Sequence, residues 1–533
     1  MARTTANSGQ SGASRSASIP SVSVPRSSFN RTHTHKTTFD GAFLIPIVVD
    51  ELLPGETYKC GVDSFVRMLT PITPVMDSMY LDTFFFFVPN RLLWDNWKRF
   101  MGEEPNPGDS TDFLVPTVDF SGLPGGEFDE STIFDYMGLP PFVDFSNTDV
   151  NALHMRAYNL IYNEWFRPED IIDAVPVHTD DGPDPAADYT LLRRAKRHDY
   201  FTAALPFAQK GPAVALPLGS TAPVVTNSQT PLIGNTGQPT LDSPAFTNTF
   251  TFGLSVAAAG VNAPALWGSE TGMQTDLSAA VGNTINAMRE SVTLQQFYER
   301  QARGGTRYTE QITSFFGVRS PDARLQRPEY LGGSSNRLNV HPVATTAART
   351  GTADNPVGEL TGFVTGGGSG GSFTYSSTEH GVILGLAMVR ADLTYQQGIS
   401  RMWSRQTRFD FAWPIFASLG EQEVLNKEIY AYGIPEIDDG VFGYQERYAD
   451  YRYAQNRISG LFRSEVADSL DVWHLAQDFA NLPTLNEAFL EEDPPFLRVV
   501  ATQDENIFKG EFAFHVTHVR PLPIYSVPGL ARF

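Results

Sequence analysis

Residues 84–87 are four consecutive phenylalanines, set in the run Asp82-Thr83-Phe84-Phe85-Phe86-Phe87-Val88-Pro89-Asn90-Arg91. A short aromatic run stopped by a proline and an asparagine reads as a strand. Side chains alternate across a strand, so Phe84 and Phe86 face one way and Phe85 and Phe87 the other. Burying one phenylalanine is worth roughly 1.5–3 kcal/mol, so neither row can stay in water. The sheet that holds this strand needs cover on both faces, from insertions or from a neighbouring subunit. A single chain is not expected to shelter both rows completely, and a bare strand of this kind is an aggregation hazard.

The flanking pattern is also strand-like. At 39–49 the odd positions Phe39, Phe43, Ile45, Ile47 and Val49 form an apolar row, with Pro46 marking an edge or a bulge. Residues 57–68 alternate Tyr58, Cys60, Val62, Val66 and Met68 with Lys59, Asp63 and Arg67. Further strands are predicted at 381–395 and 511–519. Helices are predicted at 91–101, capped by Asn90, at 150–166, at 284–303 and near 471–481. Residues 103–148 read as a long ordered loop, and the glycine run 366–371 as a flexible connection. Gly 44 and Pro 37 in a chain with 12% aromatic residues suit many short strands and long loops. The fold class is mainly β: an eight-stranded antiparallel jelly roll with long loop insertions and several short helices. The 533 residues divide into a basic, flexible arm (1–38), a first part of the jelly roll (39–205), an inserted surface subdomain (206–282) and a second part with the C-terminal strand (283–533). The insertion is marked by 211–269, whose sole charge is Asp242.

Lys and Arg number 39 against 60 Asp and Glu, a net charge of −21, which resists nonspecific binding to nucleic acid. The charge is unevenly placed. Arg3, Arg15, Arg26, Arg31 and Lys36 precede the first acid, Asp40, and no acid follows Glu511. Such ends either meet a polyanion or are solvated tails. Arg193, Arg194, Lys196 and Arg197 form a basic cluster that either binds phosphate on an inner surface or pairs with the abundant acids. Tyr444, Arg447, Tyr448, Tyr451, Arg452 and Tyr453 alternate in a way that suits base stacking or a subunit interface. Glu446 and Asp450 between them favour the interface.

No catalytic, cofactor or metal site is expected. His33-Thr34-His35 has the spacing of a cupin metal pair but lacks its glycine and glutamate. The glycine run lacks the Gly-Lys-Ser/Thr ending of a phosphate loop. Acids cluster at Asp180, Asp181, Asp184 and Asp188, at Glu436, Asp438 and Asp439, and at Glu491, Glu492 and Asp493. None matches a calcium-binding helix–loop–helix, which leaves calcium at a subunit contact open. Cys60 is the single cysteine, so no internal disulfide forms and cytoplasmic assembly is expected. No apolar run is long enough to span a membrane, and the N-terminus lacks the apolar core of a signal peptide.

The run Asp82 to Trp94 and the segment Gly443-Tyr444-Gln445-Glu446-Arg447-Tyr448-Ala449-Asp450-Tyr451-Arg452 resemble the major capsid protein of the Microviridae, small tailless bacteriophages with circular single-stranded DNA. The length, the Ser-rich basic arm and the uncharged insertion look most like the gokushovirus branch. The similarity runs from about Ser28 to the C-terminus and is weakest in 206–282. The resemblance implies a viral jelly roll building a T=1 icosahedral shell around the genome, with the insertion forming threefold protrusions that meet a bacterial surface receptor. It further implies an internal scaffolding protein, a DNA pilot protein and a small basic DNA-binding protein as partners. The rival reading from the residues is a carbohydrate-binding or carbohydrate-cleaving jelly roll, which needs carboxylate pairs or clustered tryptophans beside a groove.

Overall fold

The computed structural model describes residues 25–211, 214, 224–226, 233–234, 266–267, 273–275, 285–346, 357–503 and 505–525. The chain forms two compact units, residues 1–208 with 306–533, and residues 209–305. In the second, the described residues form two short antiparallel ribbons, Val224–Thr226 with Met273–Thr275 and Ile233–Gly234 with Leu266–Trp267, and the helix Ile285–Gly304. That helix, expected to open the second part of the jelly roll, groups with the second unit.

The first unit is built on one antiparallel sheet of nine strands, curled into a half-barrel. In chain order they are β1 (Ser27–Asn30), β2 (His33–Phe39), β3 (Ile45–Leu52), β4 (Thr57–Met68), β5 (Met79–Pro89), β6 (Glu329–Ala344), β7 (Leu360–Ser376), β8 (Gly381–Ala391) and β9 (Phe508–Arg520). Across the sheet the order is β1-β9-β4-β7-β6-β5-β8-β3, with β2 also on β9. Strands β1 and β2 pair with successive stretches of β9, so the nine strands fill about eight positions, as a jelly roll requires. Pro46 is at both an edge and a bulge: β3 ends the sheet, and its register on β8 slips between Val48 and Pro46.

The phenylalanine strand divides its side chains as alternation demands. Phe85 and Phe87 enter the core inside the curl, against Phe373 at 5.2 Å and Tyr375 at 4.7 Å. Phe86 enters a second core on the outer face, against Trp165, Phe166 and Tyr330. Phe84, half-buried, meets Phe166 edge-on. The outer cover is the chain's own insertion: Phe120, Phe128, Phe134 and Phe145 from the long loop, and the helix Leu153–Ile161. The chain itself therefore shelters three of the four rings, and Phe84 alone stays half-buried, so the rows are not completely covered, as expected. Phe85, Phe86 and Phe87 are each no more than 1% exposed without any neighbour.

The glycine run is not a flexible connection but the middle of β7. Strands β6 and β7 pair only between Asn339–Ala344 and Leu360–Thr365. They then part, β6 to β5 and β7 to β4, and the two layers face each other across the crease. A Cβ on Gly366 would lie 2.1 Å from Leu338, on Gly368 2.7 Å from Asn336, and on Gly370 2.8 Å from Ser334. The bend closes because those side chains are missing.

Helical expectations fare unevenly. Residues 91–101 form two short turns, Asn90–Leu93 and Trp97–Phe100, and Asn90 is the first helical residue rather than the cap. The helix over 150–166 is Leu153–Ile161 continued by a π turn, Tyr162–Phe166. Near 471–481 only the single turn Asp471–Trp473 forms. There, tertiary acceptors take the backbone N–H groups: Asp77 that of Leu475, Thr394 that of Gln477, and Gln397 that of Phe479.

The root of the N-terminal arm is held by charge. His518 on β9 is fully buried, with Nδ1 on Glu56 and Nε2 3.1 Å from Asp50. Arg520 reaches Glu56 at 2.7 Å, and Arg31, just after β1, reaches Asp50 at 2.8 Å. Burial opposes charge on the ring, but the two carboxylates outweigh it and raise the His518 pKa. Burial likewise opposes the carboxylates, and His518 with its arginine neighbours holds both below their usual range.

Candidate subunit interface

A third apolar cluster lies apart from the two sheet cores and includes Tyr200, Phe201, Val424, Ile429, Phe442 and Phe489. It supports a two-stranded ribbon, Glu421–Leu425 with Val441–Glu446. The Tyr/Arg segment leaves the end of this ribbon. Tyr448 is buried in the left-handed region, φ 66°, and its hydroxyl accepts from the Trp413 backbone N–H at 3.2 Å. Tyr444 and Arg447 are half-buried. Tyr451, Arg452 and Tyr453 are exposed, with Arg452 paired to Glu446. The structure thus splits the six candidates: Tyr448 positions, and the last three face outward.

What Tyr448 positions is a stretch the sequence reading missed. Between residues 399 and 419, Ile399, Met402, Trp403, Phe409, Phe411, Trp413, Ile415 and Leu419 are all exposed, Trp403 by 75% and Ile415 by 82%. The loop is nonetheless ordered. Asp410 accepts from the N–H groups of Gln406 and Thr407 at 2.9 and 2.6 Å, and Trp413 donates to the Arg408 carbonyl. Arg405 pairs with Asp450 and lies 4.3 Å over the Tyr451 ring, which ties the loop to the Tyr/Arg segment. Apolar groups held in water by fixed hydrogen bonds form a surface prepared for association, because little ordering remains to be done on contact. The alternation of Phe409, Phe411, Trp413 and Ile415 was a visible signal; it resembles a strand yet pairs with none.

The other candidates are placed as follows. Arg3 and Arg15 lie outside the described residues. Arg26 is exposed, Lys36 lies 3.8 Å from Glu511, and Arg31 is in the charged root. Arg193 pairs with Asp493 at 3.0 Å and Arg194 with Asp82 at 3.3 Å. Lys196 is buried and donates to the Phe489 carbonyl at 2.6 Å. These three brace the third cluster against the sheet, and of the four clustered cations Arg197 alone is exposed. His33 and His35 face different backbone carbonyls, of Arg31 and Ile47, and do not converge. Among the described residues, His178, Asp180 and Asp184 are the one group close enough to share a cation. Arg156 already takes both oxygens of Asp184. Cys60 is buried, which raises its pKa to about 12 and leaves it inert. Trp94 is buried against Trp97, so the two form no exposed sugar-binding platform. Among the described residues, no helix is long and apolar enough to cross a membrane.

A curled antiparallel half-barrel with closed cores and a hydrogen-bonded apolar loop turned outward fits a jelly-roll structural subunit. The capsid protein (F protein) family matches residues 17–530. The chain is 47% identical to the capsid protein VP1 of Bdellovibrio phage phiMH2K over 96% of this chain and 97% of that one. It is 40% identical to the capsid protein VP1 of Chlamydia phage 1, over 97% and 98% of the two chains. For the capsid protein VP1 of Spiroplasma virus 4 the identity is 36% over 96% of each. The chain belongs to the capsid protein (F protein) family of the Microviridae, whose members are structural and not enzymes.

Proposed function

We propose that this subunit assembles into a T=1 icosahedral shell enclosing a circular single-stranded DNA genome. The loop 399–419, rigid and apolar outside closed cores, is the observation that carries the association step. Repeated burial of such loops against second copies, closed by symmetry, takes this apolar surface out of water. Residues 206–282 form the threefold protrusion that meets a bacterial surface receptor. Among the candidate cations that are described, Arg26, Lys36 and Arg197 are exposed and would meet DNA, and Arg3 and Arg15, outside the described residues, are proposed to join them. On a chain of net charge −21 they need the help of a small basic DNA-binding protein. An internal scaffolding protein and a DNA pilot protein complete the partners, and assembly takes place in the host cytoplasm. Sedimentation and negative-stain microscopy of the native protein test the reading. Uniform shells are expected; a stable monomer under every assembly condition overturns it.

A further inference from the structure

Behind the basic cluster lies a cavity of about 220 Å³ that none of the structural roles above uses. Its floor is Glu492, 1% exposed, whose Oε1 is buried without a hydrogen-bond partner. The backbone N–H of Glu492 donates to the Arg194 carbonyl at 2.8 Å, which fixes the residue in place. Burial lifts its carboxyl to about pH 7, against the pull of Lys196, Arg194 and Arg390. Leaving a buried acceptor unused is costly, and such an atom calls for a ligand. The other two acids of the wall are engaged. Asp199 accepts from the N–H groups of Phe201 and Thr202 at 2.8 and 2.7 Å, and Asp392 faces Arg390 at 3.5 Å.

The rest of the lining is divided by chemistry. Arg197 and His198 are exposed and make no ion pair among the described residues. Gln455 and Asn456 bring amides; Asn456 Nδ2 donates to the Leu393 carbonyl at 2.8 Å, so its oxygen stays open. The Tyr395 ring, stacked near Phe479 and edge-on to Phe201, forms a wall whose hydroxyl is also buried without a hydrogen-bond partner. An acceptor at the floor, amides at the side and an unpaired guanidinium beside an imidazole at the rim suit an anion that carries an N–H donor at its far end. A neutral saccharide leaves the Arg197 guanidinium without a partner. A divalent cation at Glu492 would be repelled by three surrounding positive side chains.

We propose that this cavity takes one nucleotide of single-stranded DNA, an amino-bearing base entering toward Glu492 and its phosphate resting at Arg197 and His198. The exocyclic amine of cytosine or adenine donates to the carboxylate, and the amides meet the base edge. Arg197 supplies a charge-assisted contact to phosphate. Thymine has no exocyclic amine, and its single N3–H lies between two carbonyl oxygens that the same carboxylate repels, so it is disfavoured. The inference rests on the single-stranded genome of the proposed function, and it gives an acidic chain a discrete hold on DNA that does not depend on its overall field.

The test uses the purified full-length protein, dCMP and dTMP, and oligo-dC and oligo-dT of about ten nucleotides. At about pH 8.5, with Glu492 ionised, oligo-dC binds about tenfold more tightly than oligo-dT. Arg197→Ala weakens both and lowers the slope of log affinity against log salt by about one. Glu492→Gln, whose amide can donate as well as accept, removes the preference for dC, and lowering the pH of the parent through about 7 does the same. Near-UV circular dichroism checks that each variant is folded, and the surface change Arg197→Ala keeps the test open where Glu492→Gln fails that check. Equal binding of dC and dT by the parent overturns the proposal. So does competition by inorganic phosphate as strong as by dCMP, or occupation by a neutral monosaccharide instead. Shells that form while dC shows no preference sink this inference alone; failure to form shells sinks the proposed function.

Discussion

His518 faces a carboxylate with each ring nitrogen, so it can satisfy both only as an imidazolium. The pKa directions fix the pH window. Stability from His518 is fully present below the ordinary histidine range and is lost as pH rises through its raised folded value. Stability from Asp50 and Glu56 is present above the ordinary carboxylate range and is lost as pH falls through their lowered folded values. The group is therefore strongest between those limits. His518→Asn is expected to cost about 1.5–3 kcal/mol, because it removes a charged partner from Glu56 and Asp50 and leaves them only Arg520 and Arg31. Thermal melting against pH checks it: the alkaline loss of Tm seen in the parent should be absent in the variant. This group was not legible in the sequence, since residues 31, 50, 56, 518 and 520 meet only once β1, β3, β4 and β9 are assembled. Cys60 was legible, because its period-two neighbours alone show which side it faces.

At the scale of elements, the strands with clear alternation were readable to within a few residues: Thr57–Met68, Met79–Pro89 and Phe508–Arg520. The glycine run was misread because glycine speaks locally for freedom, whereas here its use is set by Ser334, Asn336 and Leu338 on another strand. The pairing of β6 with β5 predicts a similar intolerance to small additions. A Cβ on Gly333 would stand 2.1 Å from the Thr83 carbonyl oxygen, which is backbone and cannot swing aside. Gly333→Ala should therefore destabilise by about 1–3 kcal/mol in denaturant unfolding, the range for overpacking. Phe86→Ala, which empties part of the outer core, should lose about 3–5 kcal/mol in the same measurement. The helix expected near 471–481 failed for a related reason, since acceptors from distant segments take the amides a helix would have used.

For the molecule as a whole, the need to cover both faces of one strand is met mostly by the chain's own insertion, with Phe84 alone left half-buried. The surface that does want a neighbour, residues 399–419, carries a strand-like alternation at Phe409, Phe411, Trp413 and Ile415, but alternation alone does not tell an exposed apolar loop from a core strand; only burial does. Trp403→Asp combined with Ile415→Asp should abolish shell formation in sedimentation while leaving far-UV circular dichroism and Tm within error of the parent.

The self-covered phenylalanine strand separates two events in time. A newly made chain can reach its final shape alone, and a population of finished monomers can build up before any two of them join. Shell growth then answers to concentration and to whatever brings monomers together, and a damaged copy can be turned away at the point of joining without having first been trapped as a misfolded one.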